Sequence, residues 1–319
     1  MTKPRKRALT IGTFDGLHLG HRKALEGLLR VARQKNLEPM VAIFPYSPRV
    51  FLYGNTRIVR LLTTVEERIR ILREEFGIRK VAVLGIKRSL LNLSAGEFLK
   101  RYACGLWRAD TLVFGENFAL GKDRLCDSTS FQRFLRPLGL RWRMVRLKTG
   151  RGLAVSSTRI RGLLAEGDVS RANRLLGRPY RIGGRVVRGE GIGRRLLGIA
   201  TANLSIDPAK ILPLGVFRAR APELDRLAVV NIGFRPTVRG QGSGVRGQKE
   251  NRFFTSPLTP HPSPLLPVVE AHVLDFKGNL YGRTLTLELL SRIRGEKKFG
   301  SLEDLRAQIM KDVKIARGG

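Results

Sequence analysis

Gly12-Thr-Phe-Asp-Gly-Leu-His18-Leu-Gly20-His21 stands between a short apolar run, Ala8 to Gly12, and a stretch in which Leu25, Leu28, Leu29 and Ala32 recur at helical spacing. The order strand, polar turn, helix continues downstream. Pro39 to Phe44 reads as a second strand. Thr64-Val-Glu-Glu67 has the pattern of a capping box, with Val65, Ile69, Leu72 and Phe76 marking the inward face of its helix and Gly77 ending it. Lys80 to Ile86 supplies a third strand, Ser94-Ala-Gly-Glu97 caps another helix, and Thr111 to Phe114 is a fourth strand. This alternation predicts an α/β domain, a parallel sheet with helices on both faces. Ligands of such sheets sit beyond the carboxyl ends of the strands, beside helix N-termini.

The texture changes near Pro179. Arg181 to Val187, Leu227 to Ile232, Val268 to Phe276 and Arg283 to Leu289 are strand-like and bounded by Gly, Pro and Asn, with no long helix between them. An antiparallel β-barrel is predicted, closed by a C-terminal helix that Ser301 caps and that faces inward through Leu302, Leu305, Ile309 and Val313. A domain boundary near residue 178 follows, giving domains 1–178 and 179–319. Residues 239–267, crowded with Gly and then with Pro and Ser, fit neither texture and are expected to form a flexible insert.

A chain of 319 residues with 42% hydrophobic residues can build a core for each of two domains. No apolar run approaches the roughly 18 residues of a membrane span. The basic start, Met1 to Arg7, is followed by Asp15, His18 and His21 rather than by an apolar segment, so a cytoplasmic protein without a membrane partner is expected. Cys104 and Cys126 are too few for a disulfide framework and lack zinc-site spacing. Sixty Lys and Arg against 26 Asp and Glu give a net charge of +34, a field that attracts anions. The charges are spread along the chain and stacking aromatics are scarce, so a solvated Arg-rich surface is expected and no specific nucleic-acid partner.

Two of only four histidines flank Gly20 at the start of the first helix. A glycine there lets backbone come close, and free N–H groups at a helix start favour phosphate. Two imidazoles in that place can hydrogen-bond a triphosphate and stabilise charge growing on phosphorus. Singly, each histidine is an ordinary structural residue; the whole string at a strand-to-helix junction is a nucleotide site. Ser156-Ser157-Thr158-Arg-Ile-Arg161 opens a later helix with hydroxyls and a guanidinium suited to pyrophosphate. In the second half, Thr201-Ala-Asn203 offers two oxygen donors for magnesium and bridged phosphates, although in isolation turn hydrogen bonding is the better explanation of that triplet. Glu270 follows Val268 and Val269 in a strand, where a carboxylate needs a polar partner or a function.

The first string resembles the nucleotidyltransferase superfamily with the His-x-Gly-His signature, and its surroundings resemble the N-terminal half of prokaryotic bifunctional riboflavin kinase/FAD synthetases. Gly115-Glu-Asn117-Phe-Ala-Leu-Gly-Lys122 is similar to the family's glycine-rich stretch. Gly198-Ile-Ala-Thr201-Ala-Asn203, Gly215-Val-Phe217, Asn231-Ile-Gly-Phe-Arg-Pro-Thr237, Val269-Glu270-Ala-His272 and Arg294-Gly-Glu-Lys-Lys-Phe299 resemble its kinase half. The resemblance implies a Rossmann-like adenylyltransferase domain followed by a riboflavin kinase barrel. Each step would use ATP with Mg2+, taking riboflavin to FMN and FMN to FAD. It implies His18, His21 and Glu270 as catalytic residues, Glu270 being the base for the riboflavin 5′-hydroxyl. ATP of the adenylyltransferase would meet Gly12, Phe14, Asp15, Gly20, Ser156, Ser157, Thr158 and Arg161, and its flavin would meet Asn117. ATP and magnesium of the kinase would meet Gly191, Gly193, Thr201 and Asn203, the last two as metal ligands. The chain departs from the family pattern at Ser47 (commonly His), Asn117 (Asp) and Ala200 (Pro). Two other readings are the same fold with one activity, and a basic nucleic-acid- or flavin-binding protein without catalysis.

Overall fold

The computed structural model describes residues 6–48, 60–116, 118, 120–121, 134–146, 155–189, 200–234 and 267–318. They fall into two compact units: Met1–Tyr180 with the short excursion Ala209–Ile211, and Arg181–Pro208 with Leu212–Gly319. The insert expected at 239–267 lies outside the described residues except for its last position.

The first unit is built on β1 (Arg7–Gly12), β2 (Glu38–Ile43), β3 (Lys80–Val83), β4 (Ala109–Gly115) and β5 (Arg141–Val145). They form a sheet in the order β3-β2-β1-β4-β5, parallel in every pair. Alternate residues of each strand serve opposite faces. Leu9, Ile11, Met40, Ala42, Leu112 and Phe114 pack against Phe98, Leu99 and Trp107 on one side. Ala8, Val41, Ile43 and Val113 pack against Leu25, Leu28, Ile71 and Leu72 on the other. Burial on both faces is why these strands read as continuous apolar runs.

The helices of this unit are α1 (Leu19–Gln34), α2 (Val65–Glu74), a short α3 (Arg88–Leu91), and α4 (Ala95–Phe98), which continues as a π-helix over Leu99–Leu106. Then follow α5 (Ser157–Ala165) and α6 (Val169–Leu176). Both expected capping boxes form, Thr64 with Glu67 and Ser94 with Glu97. Three details differ from the sequence expectation. The third strand stops at Val83 rather than Ile86. The charged edge strand β5 was not anticipated. The fully buried residues of α2 are Arg68, Ile71 and Leu72, whereas Val65, Ile69 and Phe76 pack at the margin.

The second unit is a closed barrel in the order β10-β7-β6-β11-β8-β9, antiparallel in the ladders of β7 with β6 and β10, of β9 with β8 and β10, and of β8 with β11. The strands are β6 (Tyr180–Val187), β7 (Ala202–Ile206), β8 (Gly215–Ala221), β9 (Arg226–Gly233), β10 (Val268–Val273) and β11 (Thr284–Arg294). Strand β10 ends earlier than expected, because Asp275 takes a left-handed conformation with φ 57°. The closing helix α7 (Leu302–Gly318) is capped as expected, the Ser301 hydroxyl accepting from the Asp304 N–H at 3.1 Å. It packs Ala316 and Val313 over Val216 and Val229. Arg294 of β11 pins it through Asp312 at 2.9 Å, and Arg218 of β8 donates to the Ala316 carbonyl at 2.7 Å.

Candidate active sites

In the first unit, strand order reverses beside β1, where β2 lies on one side and β4 on the other. Such a switch point opens a crevice at the carboxyl ends of the strands. The turn from Thr13 to His18 leaves β1 there, and it is tight: Phe14, Gly16 and Leu17 all have positive φ, at 50°, 83° and 40°. His18 is the N-cap of α1, its Nδ1 accepting from the His21 N–H at 3.4 Å. The two imidazoles stack with centroids 3.8 Å apart, and Phe14 meets His21 edge-on at 5.2 Å. Gly20 keeps this place open, since a Cβ there would lie 3.2 Å from the His18 ring and press it aside.

Burial decides the charge of this pair. It pulls His18 down to about 4, against the attraction of Asp15 and with the repulsion of Arg178 and Arg161. Burial likewise holds His21 well below the ordinary imidazole value, with His18, Arg68 and Arg178 adding to the effect. Both rings are therefore neutral at pH 7, able to donate and accept hydrogen bonds. The Nδ1 of His21 is buried and has no partner among the described residues.

Asp15 is a frame residue. Its carboxylate accepts from the N–H groups of Leu62 and Thr63 at 3.2 and 2.9 Å, from the Thr63 hydroxyl at 3.2 Å, and from Arg161 at 2.5 Å. Four protein donors leave it little capacity for a ligand, so it reaches the site through Arg161. Arg161 also donates through Nε to the Arg60 carbonyl at 2.8 Å. In the string that opens α5, Ser156 caps the helix, and Ser157 donates to the Asp15 carbonyl at 2.8 Å. Thr158, in the first turn, is exposed. Gly12, the last residue of β1, ends the strand at this turn. Ser47 is half-buried beyond β2. Asn117 lies outside the described residues.

Two arginines that the sequence analysis passed over hold the turn in place. Arg68 is completely buried and donates to the carbonyls of Thr13, Phe44 and Pro45 at 2.6, 2.7 and 2.5 Å, besides its own helix at Thr64. Arg178 donates to Gly16 and Leu17 at 2.7 and 3.1 Å. Arg68 had a visible signal, a charged residue three positions after Val65 on the apolar face of α2. Arg178, 161 and 162 residues from its targets, had none.

In the second unit, Glu270 sits on β10 directly opposite Asn203 of β7 and Asn231 of β9. Residues opposite one another in a ladder share a face. Their alternating neighbours Val269, Ala271 and Val273 are buried, so Glu270 points away from the barrel interior and is half-buried. His272 follows on the same face, its Nδ1 2.8 Å from the Ala200 carbonyl, a structural contact that holds the approach to Thr201. Asn203 is buried, yet its Oδ1 has no hydrogen-bond partner among the described residues. The Gly189 backbone lies so close that a Cβ there would fall 2.1 Å from the Asn203 amide nitrogen. A cradled oxygen left without a partner suits a hard cation or its hydration shell. Among the described residues no three His, Cys, Asp or Glu gather into a metal cluster. Gly191 and Gly193 lie outside the described residues.

The two halves match two family models, FAD synthetase over residues 1–159 and riboflavin kinase over residues 176–318. A bifunctional riboflavin kinase/FMN adenylyltransferase of Pseudomonas fluorescens is 34% identical over 97% of this chain and 91% of its own length. Proteins of the same description from Escherichia coli K12 and Bacillus subtilis are 33% and 31% identical, over 97% and 96% of this chain and 91% and 90% of theirs. Among solved structures, one from Streptococcus pneumoniae described as a macrolide-efflux protein aligns with a TM-score of 0.81 at 26% identity. It covers 100% of this chain and 96% of its own. Among the described residues, no helix is long and apolar enough to cross a membrane.

Proposed function

The chain belongs to the family of bifunctional riboflavin kinase/FMN adenylyltransferases, and from that membership we propose how its residues divide the two reactions. It phosphorylates riboflavin to FMN and adenylylates FMN to FAD, consuming ATP at each step. Residues 1–178 carry adenylyl transfer, and residues 179–319, with their insert at 239–267, carry phosphoryl transfer. The observation behind this division is that the His18–His21 pair and the Asn203–Glu270 pair lie in separate compact units.

In adenylyl transfer, an FMN phosphate oxygen attacks the α-phosphorus of ATP and pyrophosphate leaves. Neutral His18 and His21 hydrogen-bond the phosphates at the start of α1 and receive charge as the pentavalent phosphorus forms. Gly12, Phe14 and Gly20 shape the backbone around the nucleotide. Ser156, Ser157, Thr158 and Arg161 take the pyrophosphate at the start of α5, Asp15 aims Arg161, and Asn117 contacts the flavin. No covalent enzyme intermediate is required, so positioning dominates.

In phosphoryl transfer, Glu270 accepts the proton of the riboflavin 5′-hydroxyl as that oxygen attacks the γ-phosphorus and ADP leaves. Thr201 and Asn203 would hold Mg2+, which when bound would neutralise charge on the phosphates, and Gly191 and Gly193 bring backbone to those phosphates. The protein acts in the cytoplasm on riboflavin, FMN and ATP. Purified protein is given Mg-ATP with riboflavin, and separately with FMN, and the products are resolved by chromatography. Failure to form either FMN or FAD overturns the proposal; one product without the other assigns the chain a single activity.

A further inference from the structure

A lysine far along the chain completes the frame on which Arg161 rests. Residues 60–64 run between Asp15 and the excursion Ala209–Ile211, and both sides of this segment are hydrogen-bonded. Toward the site, the Leu62 and Thr63 N–H groups donate to Asp15, and the Arg60 carbonyl accepts from Arg161. On the other side, the Leu61 N–H donates to the Ala209 carbonyl at 2.6 Å, and the Ile211 N–H donates to the Leu61 carbonyl at 2.9 Å. Between these two bonds, Lys210 Nζ donates to the Leu62 carbonyl at 2.9 Å and pairs with Glu67 Oε2 at 2.5 Å. That same Glu67 oxygen accepts from the Thr64 N–H at 3.0 Å, closing the capping box of α2.

Lys210 is only 2% exposed, and its ammonium lies 4.8 Å from the centroid of the Tyr180 ring. An ammonium removed from water is costly unless it is paired and hydrogen-bonded, and an apolar side chain of similar length would fill the space without that cost. The two groups it holds, the Leu62 carbonyl and Glu67, bracket the peptide units whose N–H groups orient Asp15. Asp15 in turn holds one Nη of Arg161, whose side chain remains 31% exposed.

We propose that Lys210 is a positioning residue for adenylyl transfer: by locking residues 61–64 it sets Asp15, and through Asp15 the direction in which Arg161 meets the phosphates of ATP. This rests on the assignment of Arg161 to the phosphates in the proposed function. Misplacing a phosphate-binding group by a fraction of an ångström is felt in turnover, because geometry carries most of the catalysis in such a reaction.

The test uses the full chain, with the two reactions assayed separately and kcat and KM for ATP resolved in each. In Lys210→Met, kcat for FAD formation from FMN should fall at least about 10-fold, while FMN formation from riboflavin stays within about two-fold of the parent. Lys210→Arg, which restores a donor to Glu67, should recover most of the loss. Since removing the ion pair can prevent folding, Glu67→Gln is measured beside them; it keeps acceptor and length but not the charge, and should lower the same kcat about 5-fold. Folded variants whose adenylylation constants stay within about two-fold of the parent overturn the inference, even if their melting temperature drops. A parent chain that makes no FAD overturns the site assignment itself, and this inference with it.

Discussion

His18 and His21 stack ring on ring, with centroids 3.8 Å apart and planes 17° apart, at the mouth of a parallel sheet. Burial disfavours a proton on either ring, and His18 adds its repulsion at His21, which is why His18 is held at about 4 and His21 well below 6.5. Neither ring should therefore impose an inflection near pH 6.5 on kcat/KM for FAD formation between pH 6 and 8. Stability follows from the same shift. Below the ordinary value of 6.5 the unfolded chain binds a proton at His18 that the native protein refuses until about 4. Stability is thus full above pH 6.5 and lost as the pH falls toward 4, by about 2 kcal/mol at pH 5 from His18 alone. Urea denaturation at pH 7.5 and pH 5, with the His18 ring followed by NMR, checks both sign and size.

Separate sites predict separable losses. Glu270→Gln keeps the shape of the side chain and removes the base, so FMN formation from riboflavin should fall by about 10²- to 10⁴-fold while FAD formation from supplied FMN is unchanged. His21→Ala should do the reverse, lowering adenylylation by about 10²- to 10³-fold and sparing the kinase. Product chromatography on each substrate alone reads both. Equal loss of both reactions in either variant would contradict a division between units.

What was legible in the sequence were features written in neighbouring residues. The capping boxes of Thr64 and Ser94 depend on partners three positions away, and both form. The strand–turn–helix around His18 is likewise local. Strand β5 was missed because Arg-Trp-Arg-Met-Val lies at the sheet edge and no residue in it is fully buried, so no apolar pattern marks it. Strands β7 and β8 are five and seven residues long, and β8 carries two arginines within its apolar run. The clamps around the first site were hidden for a different reason. Arg68, Arg178 and Lys210 satisfy backbone carbonyls 23 to 162 residues away, and no spacing rule records which carbonyl a fold leaves open.

Arg68 offers a stability test of this last kind. Replacing it by Ala leaves the carbonyls of Thr13, Phe44 and Pro45 without their donor in a buried place. A loss of about 3–5 kcal/mol is expected, from uncompensated polar groups together with the cavity. Arg68→Lys, whose single ammonium cannot span three diverging carbonyls, should recover only part of it. Chemical denaturation gives the size. FAD formation should suffer more than FMN formation, because all three carbonyls belong to segments that leave the carboxyl ends of β1 and β2.

Gly189 tests the second site without touching a residue assigned to chemistry. An added methyl would fall 2.1 Å from the Asn203 amide nitrogen, and backbone cannot yield there without disturbing β6, which ends two residues earlier. The Asn203 side chain must move instead, and with it the Oδ1 that has no partner among the described residues. Gly189→Ala should raise KM for ATP and lower kcat in FMN formation, together by about 10-fold or more, and leave FAD formation from FMN intact. If the methyl acts through Asn203, adding it to an Asn203→Ala background should cost almost nothing further, since the group it displaces is already gone. Additive losses in the double variant would show that Gly189 matters for some other reason than the seat it makes for Asn203.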